Sequence, residues 1–412
     1  MNNTNWINEI VNFFRLEKVK RYLFTIGLII VIYLSVLSPK LMGFADGHHG
    51  WVSSEQLATI VRSTPENGFV GYRMLLNSKP AYFTKGSVIY NAVFNSILLP
   101  FKDVSSKLFV ARLVTDFIFL LNMFLLFRLI YILTGNWKST AIAILLGFSG
   151  YTALYFRDLI VPDNFLTLSF LLTSFSIYYY KSNKISKSVV FMLIAISLGY
   201  VLINTLPYII WGCFELYNKL KHKTAIKKSV LVILCAGSLS LSFFAYNVAL
   251  ESVLRQVPIE ETDIIISANK RAPLTHSEER TRLSPRSSFS AYMPEMIDRL
   301  FNKTLIPCNV YLSSYNIILL STIFLSIVIF SIIQYYLKRP NIPVINEKMK
   351  LALIVALVSS CYTFYILKEF TLQHDFARVT LSIAASILWF VIVLSLEGFF
   401  YMLSIIAIMT FF

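Results

Sequence analysis

The chain has 412 residues, 56% of them hydrophobic and only 14% charged, and its mean hydropathy is +0.66. A soluble domain of this size carries nearer about 25% charged residues, so the composition excludes an ordinary soluble protein. The net charge of +15 does not point to nucleic acid, because much of the Lys and Arg lies in short loops between apolar runs, where the positive-inside rule places it.

Repeated apolar runs of about 18–25 residues predict an all-α, multi-pass membrane protein with about 10–11 spans. Residues 1–21 come first. Trp6, Ile7, Ile10, Val11, Phe13 and Phe14 share one helical face, which predicts an amphipathic helix on the cytoplasmic interface. The first span follows at 22–38, after Arg15, Lys18, Lys20 and Arg21. It has no small-residue cleavage site and reads as a retained anchor.

With that basic flank inside, residues 39–108 form the first external loop. It opens with GFADGHHGWVSSEQL, in which Asp46, His48, His49 and Glu55 lie close together at a membrane exit. Polar groups there are well placed for chemistry on a lipid-linked substrate. Two weakly apolar stretches, 69–76 and 88–101, are too short or too interrupted to cross and are expected to be interfacial helices.

The second span is expected at 109–133, the third at 139–155 and the fourth at 164–180. The cluster YFRDLIVPDN, between the third and fourth, faces outside. The apolar block 188–217 is too long for one span and is interrupted by Asn204 and Pro207. Splitting it into a short hairpin with an external turn INTLPY keeps the basic run KLKHKTAIKK inside. A seventh span covers 229–249. A polar external loop, 251–312, mixes arginines with acids and reads as a solvated surface. Residues 313–412 carry an eighth span at 313–337, a ninth at 350–367 and a tenth at 378–396. The last run is an eleventh crossing or a truncated end. The loop KEFTLQHDFAR, before span ten, is outside. Cysteine is sparse and forms no CxxC pattern.

Three polar clusters at span ends therefore fall on one side: 45–49, 156–163 and 368–378. They come from distant parts of the chain, as a binding site would. Arg157 and Arg378 are suited to phosphate, Arg157 through a bidentate fork. Asp163 follows Pro162 and is equally suited to cap span four. His374, Asp375 and Arg378 border span ten, where a cation meets the phosphate of a lipid, though an Asp375–Arg378 helix-start pair fits as well. His48 and His49 could hold a divalent metal or donor phosphate, or sit at the interface without a role.

The chain resembles integral-membrane glycosyltransferases of the GT-C fold, close to the protein-mannosyltransferase and aminoarabinose-transferase group. The resemblance is carried by Asp46 in FADGHHGW directly after span one, by the stretch from RLVTDFIFLL to YFRDLIVPDN with its arginine and Pro-Asp pair, and by the Pro turn NTLPY. It covers roughly residues 20–220, within a transmembrane module spanning 22–250. Where many relatives carry two adjacent acids, here Gly47 and His48 follow Asp46. Where they carry Lys-Pro-Pro or His-x-Pro-Pro, NSKPAYF has Lys79-Pro80 alone.

The resemblance implies transfer of a sugar from a polyprenyl-phosphate donor to a glycan, lipid or protein acceptor, with inversion and with Asp46 as general base. It implies donor or substrate binding by Lys79, Arg157, Asp158, Asp163, His374, Asp375 and Arg378, and a divalent metal as a candidate cofactor at His48 and His49. It places the protein in a bacterial inner membrane with its site on the periplasmic or extracellular face. Two other readings stand beside it. An O-antigen ligase or polymerase would depend on basic residues rather than Asp46. A transporter of lipid-linked sugars would place coupling residues near mid-membrane, where Asp116 is the main charge.

Overall fold

The computed structural model describes residues 47–74, 80–82, 88–157, 160, 163–198, 203–222, 228–262, 265–266, 304, 347–362 and 379–395. Apart from one small hairpin, these residues are helical. Among the described residues two helices are long and apolar enough to cross a membrane, Val104–Thr134 and Val232–Arg255. The amphipathic helix expected in 1–21 and the spans expected at 22–38, at 313–337 and after 398 lie outside the described residues.

Helix α1 (Gly47–Val61) leads into a 3-10 turn, Pro65–Asn67. The chain then reverses through Gly68 and Phe69, at φ 62° and 60°. This left-handed pair is followed by strands β1 (Tyr72–Met74) and β2 (Pro80–Tyr82), antiparallel with Tyr72 opposite Tyr82 and Met74 opposite Pro80. Where an interfacial helix was expected at 69–76, the described residues 69–74 form a turn and a strand. Gly71 shows why this segment is pinned: a Cβ there would collide with the Thr59 carbonyl, so the chain runs directly against α1. The second expected interfacial helix is present as α2 (Val88–Leu98).

Helix α3 (Val104–Thr134) begins at a side-chain cap, the Asp103 carboxylate accepting from the Ser106 N–H at 2.7 Å. It ends at Gly135, φ 70°, whose N–H returns to the Tyr131 carbonyl at 2.8 Å. Asn136 then caps α4 (Trp137–Phe148) by accepting from the Ser139 N–H at 3.1 Å. A Gly end followed directly by an Asn start gives a two-residue connection between the helices.

The span expected at 139–155 is broken. Helix α4 stops at Phe148, and α5 (Tyr151–Phe156) restarts after Gly150, whose ψ of 148° is extended. Two glycines account for the local geometry. A Cβ at Gly147 would lie 2.5 Å from the backbone N and Cα of Ser386, and one at Gly150 would strike the Thr304 carbonyl. Backbones from elsewhere in the chain occupy the space that side chains would need.

Helix α6 (Asp163–Lys181) is the centre of the bundle, with every residue from Asp163 to Ile177 buried. It packs against α3, α7 (Ile185–Ile196), α8 (Leu206–His222) and α10 (Glu347–Ser360). Its Ser and Thr hydroxyls are turned to use: Ser169 donates to the Ala195 carbonyl and Ser176 to the Ser188 carbonyl, both at 2.8 Å. The apolar block 188–217 divides where the sequence suggested. Asn204, in a 3-10 turn (Ile203–Thr205), donates to the Leu198 carbonyl and to the Ile196 carbonyl at the end of α7. Pro207 falls in the first turn of α8, where a missing N–H is harmless. Helix α9 (Lys228–Arg255) packs on α8, and α11 (Leu381–Ser395) packs most extensively on α4.

Candidate functional site

The inward side of α3 carries an unusual set for so apolar a helix: Arg112, Thr115, Asp116 and Asn122 are all buried. Burying such groups is costly unless they are paired. Asp116 meets Arg157, at the end of α5, with the arginine Nε 3.9 Å from Asp116 Oδ1 and both side chains under a tenth exposed. The Arg157 Nη1 donates to the Leu154 carbonyl at 2.9 Å.

The backbone here is held as firmly as the guanidinium. Asn164, fully buried in the first turn of α6, donates from Nδ2 to the carbonyls of Phe156 (3.0 Å) and Arg157 (3.2 Å). Its own carbonyl accepts from Asn122 Nδ2 at 2.9 Å. Helix α3 therefore reaches Arg157 twice, through Asp116 directly and through Asn122 by way of Asn164.

Asp163 opens α6 and is fully buried. It lies within electrostatic reach of the hydroxyls of Tyr90, on α2, and Tyr362, just beyond α10. Burial first, and the nearby Asp163 charge second, push the Tyr90 phenol well above its usual range, so it remains a neutral hydrogen-bonding group. The Tyr90 ring meets Phe165 edge-on at 4.6 Å between centroids. Around them Leu57, Ile60, Phe94, Leu98, Leu108 and Ile160 form a compact apolar cluster. This cluster docks α1 and α2 onto the start of α3 and the start of α6.

One end of the bundle thus gathers the loop before α3 and the α5–α6 connection. The described residues on either side of 363–378 meet each other, Thr380 Oγ1 donating to the Ser360 carbonyl at 3.0 Å, and Tyr362 lies within electrostatic reach of Asp163. Arg157 and Asp163 are close in the fold, since Asn164, next to Asp163, donates to the Arg157 carbonyl. Arg157 is paired with a carboxylate from α3, Asp116, which the sequence offered only to the transporter reading. Asp46, Lys79, Asp158, His374, Asp375 and Arg378 lie outside the described residues. His48 and His49 fall in the first turn of α1, and their side chains are not described. Among the described residues no group of three His, Cys, Asp or Glu gathers as a metal cage would require. Glu55 is half-buried, and its Oε2 has no partner among the described residues.

On the far side of α2 from Tyr90 lies an apolar groove of about 560 Å³ between Phe69, the Ile89–Val93 face of α2, and Leu239, Phe243 and Tyr246 of α9. Helix α2 is thus apolar on both faces, with Tyr90, Phe94 and Leu98 inward and Ile89, Val93 and Ile97 exposed.

Compared with protein-family models, curated proteins and solved structures, the chain gives no match. The class defined by the described residues is a helical protein with two helices able to cross a membrane and a buried charged site at one end.

Proposed function

We propose that the protein is a multi-span, GT-C-like glycosyltransferase that moves a sugar from a polyprenyl-phosphate donor to an acceptor on the extracytoplasmic face of a bacterial inner membrane. The observation that carries this reading is the convergence of the loop before α3, the α5–α6 connection and Tyr362, which leads into 363–378, at one end of the bundle, around Arg157 and Asp163. Asp46, directly before α1 in the sequence, acts as general base. It takes the proton of the acceptor hydroxyl as that oxygen attacks the anomeric carbon. The lipid phosphate leaves with the bonding pair, and the anomeric centre is inverted.

Arg157 and Asp163, with Lys79, Asp158, His374, Asp375 and Arg378 from the adjoining loops, bind the donor phosphate and sugar, and His48 and His49 are the candidate metal ligands. The groove beside α2 suits the hydrocarbon chain of such a donor, being lined almost wholly by apolar side chains. The outward apolar residues of α9, among them Leu234, Leu241 and Val253, fit a lipid surroundings better than water.

The test is turnover of a labelled polyprenyl-phosphate sugar by reconstituted protein. Asp46→Asn should assemble normally and lose transfer by roughly a hundredfold or more, the range of a missing general base. Wild-type-like turnover by that variant contradicts the assignment. A second reading, a transporter of lipid-linked sugars, draws on Arg112 and Asp116, charges buried inside an apolar helix. Movement of the labelled lipid across the bilayer with no glycosylated product would favour it.

A further inference from the structure

We infer that Asp116 is a positioning residue, holding the Arg157 guanidinium in the orientation that receives the anionic group of the substrate. The inference rests on the reading of Arg157 as a donor-phosphate ligand and adds a residue that the loops alone do not supply.

Three observations carry it. First, Asp116 is buried well inside α3, where an ionised carboxylate is costly. A buried ion pair gives little net stability over apolar residues of similar size, so stability is a poor reason for its presence. Second, an arginine at the end of a bundle tends to stretch its apolar stem and carry the charge out to water. Here that movement is checked on two sides, with Nε facing Asp116 at 3.9 Å and Nη1 bonded to the Leu154 carbonyl at 2.9 Å. The Nη1 hydrogen bond anchors one corner of the guanidinium and the Asp116 charge draws its Nε edge toward α3, which biases the plane on which bidentate recognition of a phosphate depends.

Third, the same helix also fixes the backbone that carries Arg157. Asn122 holds Asn164, and Asn164 holds the Arg157 carbonyl, with donor–acceptor distances of 2.9 and 3.2 Å. Asp116 and Asn122 are six residues apart, about 9 Å of helix rise. Helix α3 thus acts as a rigid post to which both the peptide and the side chain of Arg157 are tied. A merely structural clamp needs one tie. Two ties to one residue, one of them to its charged head, specify an orientation.

The full chain in lipid nanodiscs is titrated with a polyisoprenyl monophosphate and with the matching uncharged polyisoprenol. Wild type should prefer the phosphate, and Arg157→Gln should remove that preference. Asp116→Asn should weaken phosphate binding by roughly tenfold, the scale of coupling between paired groups, with alcohol binding unchanged. In the Arg157→Gln background the same change should do nothing further, because Asp116 acts through Arg157. Asp116→Glu, which keeps the charge and moves it by one methylene, should be intermediate. It carries the comparison if Asp116→Asn does not assemble.

Equal loss for phosphate and alcohol, losses that add in the double variant, or full phosphate affinity in both Asp116 variants would overturn the positioning role while leaving Arg157 as a ligand. A wild type with no preference for the phosphate would instead overturn the donor-phosphate reading of Arg157 itself.

Discussion

Replacing Asn164 should separate a hydrogen-bonding role from a space-filling one. Its Nδ2 serves two buried carbonyls, Phe156 and Arg157, and its Oδ1 has no partner among the described residues. Asn164→Leu keeps the volume and leaves two carbonyls unserved, at about 1–3 kcal/mol each. It also removes the orphaned Oδ1, which returns a similar amount, so the net loss should be about 1–3 kcal/mol. The low end agrees with the modest strength of polar contacts between membrane helices. Asn164→Asp has the same shape and the opposite effect on the carbonyls. It replaces the donor with an acceptor facing two acceptors and buries a group that must ionise or take up a proton, so the loss should exceed that of Leu, at more than about 3 kcal/mol. Thermal unfolding of the purified variants in a mild detergent reads the order wild type, Leu, Asp. If Asp is tolerated as well as Leu, the Nδ2 contacts do not hold the α5–α6 connection and the reasoning fails.

Gly147→Ala should destabilise the α4–α11 contact by about 3 kcal/mol, since the new Cβ meets backbone atoms of Ser386 at 2.5 Å and helices cannot yield as side chains do. Adding Ser386→Gly clears the side chain and leaves the backbone N and Cα in place, so full recovery of the melting temperature in the double variant would contradict a clash with backbone. Asp103 offers a pH test. Accepting from the Ser106 N–H holds its carboxyl below its ordinary value of 3.8, so its contribution is complete above that value and disappears as pH falls through the lower folded one. Asp103→Asn keeps the cap without the charge. Its melting temperature should trail wild type by a constant margin from pH 5 to 8, and the margin should close below about pH 4. A margin that does not change with pH would exclude the charge as its source.

Helix positions in this chain are largely written in its apolar runs, because a buried or lipid-facing helix needs a long apolar segment and few other elements do. The division near Asn204 and Pro207 was legible for a second reason. Charge forbade a single crossing, and both residues act in the structure as a helix end and a helix start. The break at Ser149 and Gly150 was not legible, since it depends on backbones from Thr304 and Ser386 that adjoin only in the fold. Strands of three residues at Tyr72–Met74 and Pro80–Tyr82 are too short to show alternation, so that segment read as a weak helix.

The site divides in the same manner. Arg157 and Asp163 stood out as polar groups at helix ends. Asp116 stood out as a charge within an apolar run, and only the fold shows that it belongs to Arg157. Asn122 and Asn164 carried no signal beyond being polar in apolar company, which in such a helix is itself a pointer to a contact or a site.

The account turns on the end of the bundle that holds Arg157 and Asp163 facing away from the cytoplasm. Helix α6 runs from Asp163 at that end to Lys181 at the other, about 28 Å over 19 residues. Lys102, exposed between α2 and α3, marks the site end, and Lys184, exposed between α6 and α7, marks the opposite one. With the native cysteines replaced, single cysteines at these positions should react differently with a membrane-impermeant maleimide in intact cells. The account predicts labelling at position 102 at once and at position 184 only after the membrane is opened. Labelling of both from one side, or of position 184 first, would contradict it.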